Sequence, residues 1–391
     1  MKRLIIRNFG PIEDVAIELS RINIIIGPQS SGKSTVLKVA CFCDWIERQI
    51  TMTQNPDKYC QASFFVQNLI GFHKLEGFMH KNTYIRYDNE AISFEFDAKT
   101  NVCQYSLTTN AERWAYKRPK IAYIPAERNL VAAIPNWFQV SMSNNNILDF
   151  MKEWEFARKS CMKKVPIFRL PFSYRYNRAD NADRIVMPNG KELNLTNASS
   201  GLQSLTPLYV VLRYLTNDFF KERHTTVEDV VLRDNLKKIV ALKCADKKPE
   251  EQQSIVDNIL IPYRLDLFIE EPEAHIFPST QKSFVYELIS MLNDARKHSC
   301  FIATHSPYIM TALNNLILAD ERMAESRETA RLVKACFAKR QTLPYTDVSA
   351  YAMKDGKITS IMDEEFHLIS ADALDYASQE IADDFNFLLS L

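Results

Sequence analysis

The sequence predicts an α/β fold built around a P-loop, and three stretches carry the prediction. The first is Gly27-Pro28-Gln29-Ser30-Ser31-Gly32-Lys33-Ser34, which follows the apolar run Ile22–Ile26 and precedes a helical pattern from Lys33 to about Gln49. The second is the apolar stretch Leu265–Ile269, which ends in the paired acids Glu270 and Glu271. The third is Phe301-Ile302-Ala303, a further apolar run tipped by Thr304, His305 and Ser306. Short apolar runs alternating with helical patterns indicate a sheet with parallel strands, and such a sheet gathers its reactive residues at one edge.

In chain order, residues 2–7 and 14–18 read as strands around a turn at Gly10-Pro11, and with 22–26 they form the sheet edge that leads into the P-loop. After the first helix, 83–87, 91–96 and 102–107 read as successive strands, a small antiparallel subdomain beside the glycine loop. Residues 121–124 form another strand. The organisation expected is an N-terminal lobe over 1–128, a mainly helical insertion over 129–183, and a helix-opening motif region over 184–217. A charged helical insertion over 218–262 and a C-terminal lobe over 263–391 follow. Within these, 185–193 reads as a hairpin turning at Asn189-Gly190. A strand pair at 348–353 and 357–362 meets at Asp355-Gly356, and a last helix spans 371 to about 389.

Composition sets wide bounds. The 391 residues carry 48 Lys+Arg against 48 Asp+Glu, so net charge steers the chain toward neither nucleic acid nor membrane. No apolar run reaches the length of a membrane span, and the charged start Met1-Lys2-Arg3 reads as a strand rather than a signal peptide. Eight scattered cysteines without metal-ligand spacing read as reduced cytosolic thiols, which places the chain in the cytoplasm.

The chemistry follows from residue types. Backbone N–H groups of the loop, with Gly27, Pro28, Gln29, Ser30, Ser31, Gly32 and Thr35 around it, can wrap a phosphate chain at a helix N-terminus. Only 8 glycines occur in the chain and two of them stand here. Lys33 would reach the β- and γ-phosphates, and the Ser34 hydroxyl would hold Mg2+. Glu270 is placed for the metal shell and Glu271 to orient and deprotonate the attacking water; read alone, the pair is equally a strand end with exposed acids. His305 is placed against the γ-phosphate. The stretch from Asn197 to Gln203 opens a helix, where Ser200 with Gly201 makes a second phosphate cradle; read alone, Ser199 or Ser200 is a plain N-cap.

Together these motifs resemble an ABC-type ATPase head of the SMC, RecF and OLD (overcoming lysogenization defect) group. The loop resembles its Walker A motif. Phe268 to Pro278 resembles the Walker B and D-loop of the OLD-like branch, Ala198 to Ser204 its signature motif, and Thr304 to Ile309 its H-loop. Tyr123 to Arg128 matches a segment common in that branch. The resemblance implies a P-loop fold with a mixed central sheet, ATP and Mg2+ as ligands, Glu271, His305 and Lys33 as catalytic groups, and Ser34 and Glu270 as metal ligands. It implies that Ser199, Ser200, Gly201 and Gln203 act in trans across a head-to-head ATP sandwich of two or more copies, with Glu273 and His275 near that interface. Gln104 is the candidate for a Q-loop glutamine, and Leu202 stands where many members carry a second glycine.

Family variants narrow this further. Residues 129–183 are too short, and too interrupted by Pro166 and Pro171, for a long coiled-coil arm. About 85 residues follow His305, too few for a Toprim nuclease domain, and Asp363, Glu364 and Glu365 read as a solvated turn. The expectation is a slow ATPase, not itself a nuclease, working as a switch with a separate effector protein in bacterial anti-phage defence. A RecF-like clamp leaves DNA open as a partner, through Lys117-Arg118-Pro119-Lys120, Arg158-Lys159 and Lys163-Lys164. The ATPase subunit of a membrane transporter is a third, weaker reading.

Overall fold

In the computed structural model, which describes residues 2–370 apart from 108–110, 135, 140, 142, 222–226 and 339, Ile22–Ile26 is buried along its whole length. A strand apolar on both faces must be covered on both faces, and this one lies inside the sheet. The strands of the two larger sheets are β1 (Lys2–Phe9), β2 (Ile12–Leu19), β3 (Ile22–Ile26), β4 (Met79–Asp88), β5 (Ile92–Asp97), β6 (Val102–Leu107), β7 (Pro119–Ile124), β8 (Val165–Pro166), β9 (Ser173–Asn177), β10 (Ala182–Val186), β11 (Glu192–Asn194), β12 (Arg264–Glu270), β13 (Ser299–Thr304), β14 (Val348–Lys354) and β15 (Lys357–Ser360), and Met362–Asp363 pairs with Leu368–Ile369 in a third. Eleven of them form one mixed sheet in the order β6-β5-β4-β1-β2-β15-β14-β3-β13-β12-β7, and β8 to β11 form a separate four-stranded antiparallel sheet.

The helices are α1 (Lys33–Thr53), α2 (Ala62–Val66), α3 (Leu130–Ala133), α4 (Asn146–Ser160), α5 (Ser200–Arg213), α6 (Val227–Lys243), α7 (Pro249–Leu260), α8 (Pro278–Leu292), α9 (Pro307–Glu325) and α10 (Arg327–Cys336). Side chains alternate across a strand, so the central sheet divides two cores. Ile22, Ile24, Leu265, Leu267, Cys300 and Ile302 face one core with residues of α4, α5, α8 and α9. Ile25, Phe268, Phe301, Tyr351 and Met353 face the other, which α1 covers with Val36, Leu37, Phe42 and Ile46. None of the described helices is long and apolar enough to cross a membrane.

Several expectations need correction. The strands at 2–7, 14–18 and 22–26 do not make one sheet edge together. The hairpin β14–β15 inserts between β2 and β3, with β14 parallel to β3 and Ala350 opposite Ile24. The strands at 83–107 are not a separate subdomain but the far wing of the same sheet, since β4 pairs antiparallel with β1. Their one-sided alternation of buried and exposed residues suits a sheet covered on one face. Residues 129–183 are not mainly helical: α4 is joined there by β8 and β9, which pack Tyr174 against Trp154 of α4. Helix α10 (Arg327–Cys336), with no buried residue, has no counterpart among the elements expected from the sequence. The last helix expected, 371 to about 389, lies outside the described residues.

Candidate functional site

Four neighbouring parallel strands, β3, β13, β12 and β7, end on the same side, because β12 pairs in parallel with both β7 and β13 and β13 pairs in parallel with β3. The loops that follow them carry the P-loop, His305, the acid pair and Tyr123 to Arg128. Parallel order thus brings together residues that lie up to about 280 positions apart in the chain.

The P-loop runs from the end of β3 into α1. Ser30 and Gly32 take left-handed backbone conformations (φ 60° and 107°), which turn successive N–H groups inward as in an anion-binding nest. The first turn of α1 holds no acid of its own, which leaves its positive dipole end open to an anionic ligand. A β-carbon on Gly27 would stand 2.2 Å from the Met353 carbonyl oxygen of β14, so the loop must begin with glycine. Lys33 is buried, and its Nζ donates to the carbonyls of Gly27 (2.9 Å) and Pro28 (2.6 Å). Burial lowers its pKa to about 8, against the opposing pull of Glu271 and Glu273. Pro28, Gln29 and Ser30 are exposed, Ser31 and Ser34 half-buried, and Thr35 buried.

Glu270 is buried at the end of β12. The Tyr123 hydroxyl donates to its Oε1, the Ala126 N–H approaches its Oε2 at 3.3 Å, and Lys38 Nζ lies 3.8 Å from Oε1. Lys38 follows Ser34 by one helical turn, so Glu270 meets the face of α1 that also carries Ser34. A serine hydroxyl and a carboxylate are hard oxygen donors of the kind that hold Mg2+ together with substrate phosphates, and a carboxylate retains acceptor capacity beyond these bonds. The donor set of Ser34 and Glu270 therefore fits Mg2+.

Glu271 has a left-handed backbone, φ 42°, unusual for a side chain of its kind. Its N–H donates to the Ala303 carbonyl (2.8 Å) and its carboxylate lies 3.5 Å from His305 Nε2. The contact with His305, helped by the charges of Lys33 and Arg128, holds Glu271 below the usual carboxylate range. Glu271 is therefore ionised at neutral pH and can accept a proton or orient water. Glu273 Oε1 accepts the His305 N–H at 2.5 Å, so the acidic turn also fixes the backbone of the histidine.

At the start of α5, Ser199 and Ser200 are exposed, and a β-carbon on Gly201 would meet the His275 carbonyl at 3.0 Å. Gln203 is turned inward: its amide donates to the carbonyl of Thr196 (2.9 Å). Gln104 does not reach the site. It lies on edge strand β6, separated from β3 by six intervening strands, where the antiparallel wing carries it away.

Two further residues belong to the site although sequence reasoning gave them no role. Tyr123 holds Glu270 from β7, and Arg128, fully buried just after β7, donates to backbone carbonyls of the acidic turn. The only signal was the Tyr123–Arg128 segment itself. An arginine in a short turn otherwise reads as surface. The basic residues offered for DNA are largely engaged within the chain: Lys120 pairs with Glu153, Arg118 donates to the Leu260 carbonyl, and Arg158 is buried beside Asp183.

A family model described as an AAA ATPase domain matches residues 1–42 and 47–310, more than three-quarters of the chain. No curated protein matches it. Among solved structures, the chain is similar to the SMC head domain from Thermotoga maritima, at 11% identity and TM-score 0.40, over 92% of this chain and 97% of that one. It is also similar to the ADP conformation of MJ1267, an ATP-binding cassette of an ABC transporter, at 12% identity and TM-score 0.32, over 94% and 93%. A third is the recombination mediator protein RecF, at 9% identity and TM-score 0.31, over 92% and 97%. The mixed sheet, the smaller antiparallel sheet, their helices and the glycine loop between β3 and α1 make an α/β P-loop fold.

Proposed function

The chain belongs to the AAA ATPase domain family, and on that premise we propose that it binds ATP with Mg2+ and hydrolyses it slowly, as a cytoplasmic switch that acts through a separate effector protein. The observation that carries this reading is the meeting of Lys33, Glu271 and His305 at adjoining strand ends, with Glu271 ionised beside the histidine. In this reading the nest at Gly27–Thr35 and the charge of Lys33 bind the triphosphate. Ser34 and Glu270 hold the magnesium ion, which neutralises phosphate charge when bound. Glu271 orients the attacking water and accepts its proton, and His305 keeps the carboxylate in place.

Exposed Ser199 and Ser200 present the α5 N-terminus to a second copy, so that two heads close on two ATP molecules. Gln203, whose amide donates to its own loop, supports the turn that presents these serines. Leu202, where many such signatures carry glycine, supports slow closure. The wording of the acidic turn and of Thr304–Ile309 supports the OLD-like branch and an anti-phage role, with an ATPase chain that is not itself a nuclease.

The test is the solution mass of a Glu271→Gln variant with and without ATP and Mg2+. That change keeps the acceptor oxygen and removes the base. A rise by one subunit step on adding ATP, together with phosphate release by the wild type, supports the switch. An ATP-independent mass refutes ATP-driven pairing. Retention of duplex DNA by the trapped form, lost with added salt, would select the RecF-like clamp instead.

A further inference from the structure

Arg128 is an unusual charge to bury. Its side chain is fully enclosed, and among the described residues its hydrogen-bond acceptors are all backbone carbonyls. Nη1 donates to the carbonyl of Glu270 at 3.0 Å. Nη2 donates to those of Glu271 at 2.9 Å and Pro272 at 3.3 Å. Nε reaches the carbonyl of Ser204, in the second turn of α5, at 3.4 Å. Burial lowers its pKa to about 10, with Glu273, Glu271 and Glu270 opposing that shift, so it stays charged at neutral pH.

The three carbonyls it gathers belong to the turn in which the chain leaves β12. There Glu271 takes its left-handed conformation and the regular ladder ends. Once the strand stops, those carbonyls need donors beyond the ladder, because an orphaned buried carbonyl is costly; the Ala274 N–H serves that of Glu271 at 3.0 Å, and Arg128 reaches all three. The guanidinium fork supplies several donors in one fixed plane. The Glu271 N–H is held from the opposite side by Ala303. The direction of the Glu271 carboxylate toward His305 is thus set by a backbone clamped from two sides, one of them Arg128.

We propose that Arg128 is a positioning residue for hydrolysis: it fixes the backbone of Glu270–Pro272 so that Glu271 faces the reacting phosphate, and through Ser204 it ties that turn to α5. The proposal rests on the ATPase reading above. Lysine at this position keeps the charge but not the planar fork, so it cannot serve Ser204 and the acidic turn together. Small displacements of a catalytic group carry large kinetic costs, on the order of 10²-fold for an ångström.

The experiment compares phosphate release, ATP affinity with a fluorescent analogue, and thermal stability for the wild type, Arg128→Lys, Arg128→Gln, Glu271→Gln and the Arg128→Lys/Glu271→Gln double variant, with Lys33→Ala as background. The expected result is a fall in kcat of about 10²-fold in Arg128→Lys, with KM and analogue affinity held within about threefold of wild type. In the Glu271→Gln background the same change should cost nothing further, because residues acting through one another are not additive. Full kcat in Arg128→Lys, an equal loss in both backgrounds, or loss of folded protein in both Arg128 variants would each overturn the proposal. A wild type no faster than Lys33→Ala overturns the ATPase reading itself, and this inference with it.

Discussion

Replacing Gly27 with alanine should cost the protein both stability and nucleotide binding, for a reason located more than 300 residues away. A β-carbon at Gly27 stands 2.2 Å from the Met353 carbonyl oxygen, whereas ordinary contacts begin near 3.4 Å. More than an ångström must be found, and both partners are backbone: the loop after β3 and the parallel neighbour β14. Overpacking of this kind costs about 2–3 kcal/mol, which for a chain of this size lowers Tm by about 3 °C. The loop shift should also weaken ATP binding by an order of magnitude or more. Gly32 provides the contrast. A β-carbon there meets the Met353 side chain, with Cε at 2.7 Å, so Met353→Ala should relieve part of the cost of Gly32→Ala and leave the strain of its φ of 107°. Met353→Ala should relieve nothing at Gly27, because the carbonyl remains. Thermal unfolding and analogue titration of the two double-mutant cycles read this directly. The expected coupling is near zero, within about 0.5 kcal/mol, for Gly27→Ala with Met353→Ala, and clearly favourable for Gly32→Ala with Met353→Ala. Gly27→Ala at wild-type Tm and affinity, or its rescue by Met353→Ala, would refute the packing of β14 against the P-loop. The test bears on a segment beyond the family match, which ends at residue 310.

Two further outcomes follow from the charges of the site. Because Lys33 titrates at about 8 in the free protein, ATP affinity should be full below that pH and fall above it, about tenfold weaker at pH 9 than at pH 7. Analogue titrations across pH measure this, and Lys33→Arg should flatten the profile; a wild-type affinity constant up to pH 10 would contradict it. The same depressed pKa acts oppositely on stability: between about 8 and the ordinary 10.5 the unfolded chain binds the extra proton, so the Lys33 contribution to stability rises with pH there. Tyr123→Phe removes the donor to Glu270 and should destabilise the protein by about 1–3 kcal/mol, while raising the Mg2+ concentration needed for half-maximal phosphate release. An unchanged Tm with an unchanged Mg2+ titration would show that Tyr123 does not hold Glu270.

Much of the site could be read along the chain because its parts are local. A strand, a glycine turn and a helix start at Ile22 to Lys33 are specified by consecutive residues, and so are the acids ending β12 and the His305 tip of β13. Each such unit carries its own hydrophobic pattern and its own backbone requirement. What the tertiary structure alone decided is where the distant pieces pair. Nothing near Ile22–Ile26 says that its second neighbour is Val348–Lys354, because a strand buried on both faces accepts any apolar partner of suitable register, and the choice falls to the packing of both cores at once. The Met353 carbonyl against Gly27 is a consequence of that choice, and Tyr123 on Glu270 and Arg128 beneath the acidic turn follow from the parallel pairing of β7 with β12. A buried arginine and a surface arginine look alike in one dimension. Burial is a property of what closes over a residue, and here the strand ends of β7 and β12 and the first turns of α5 do so.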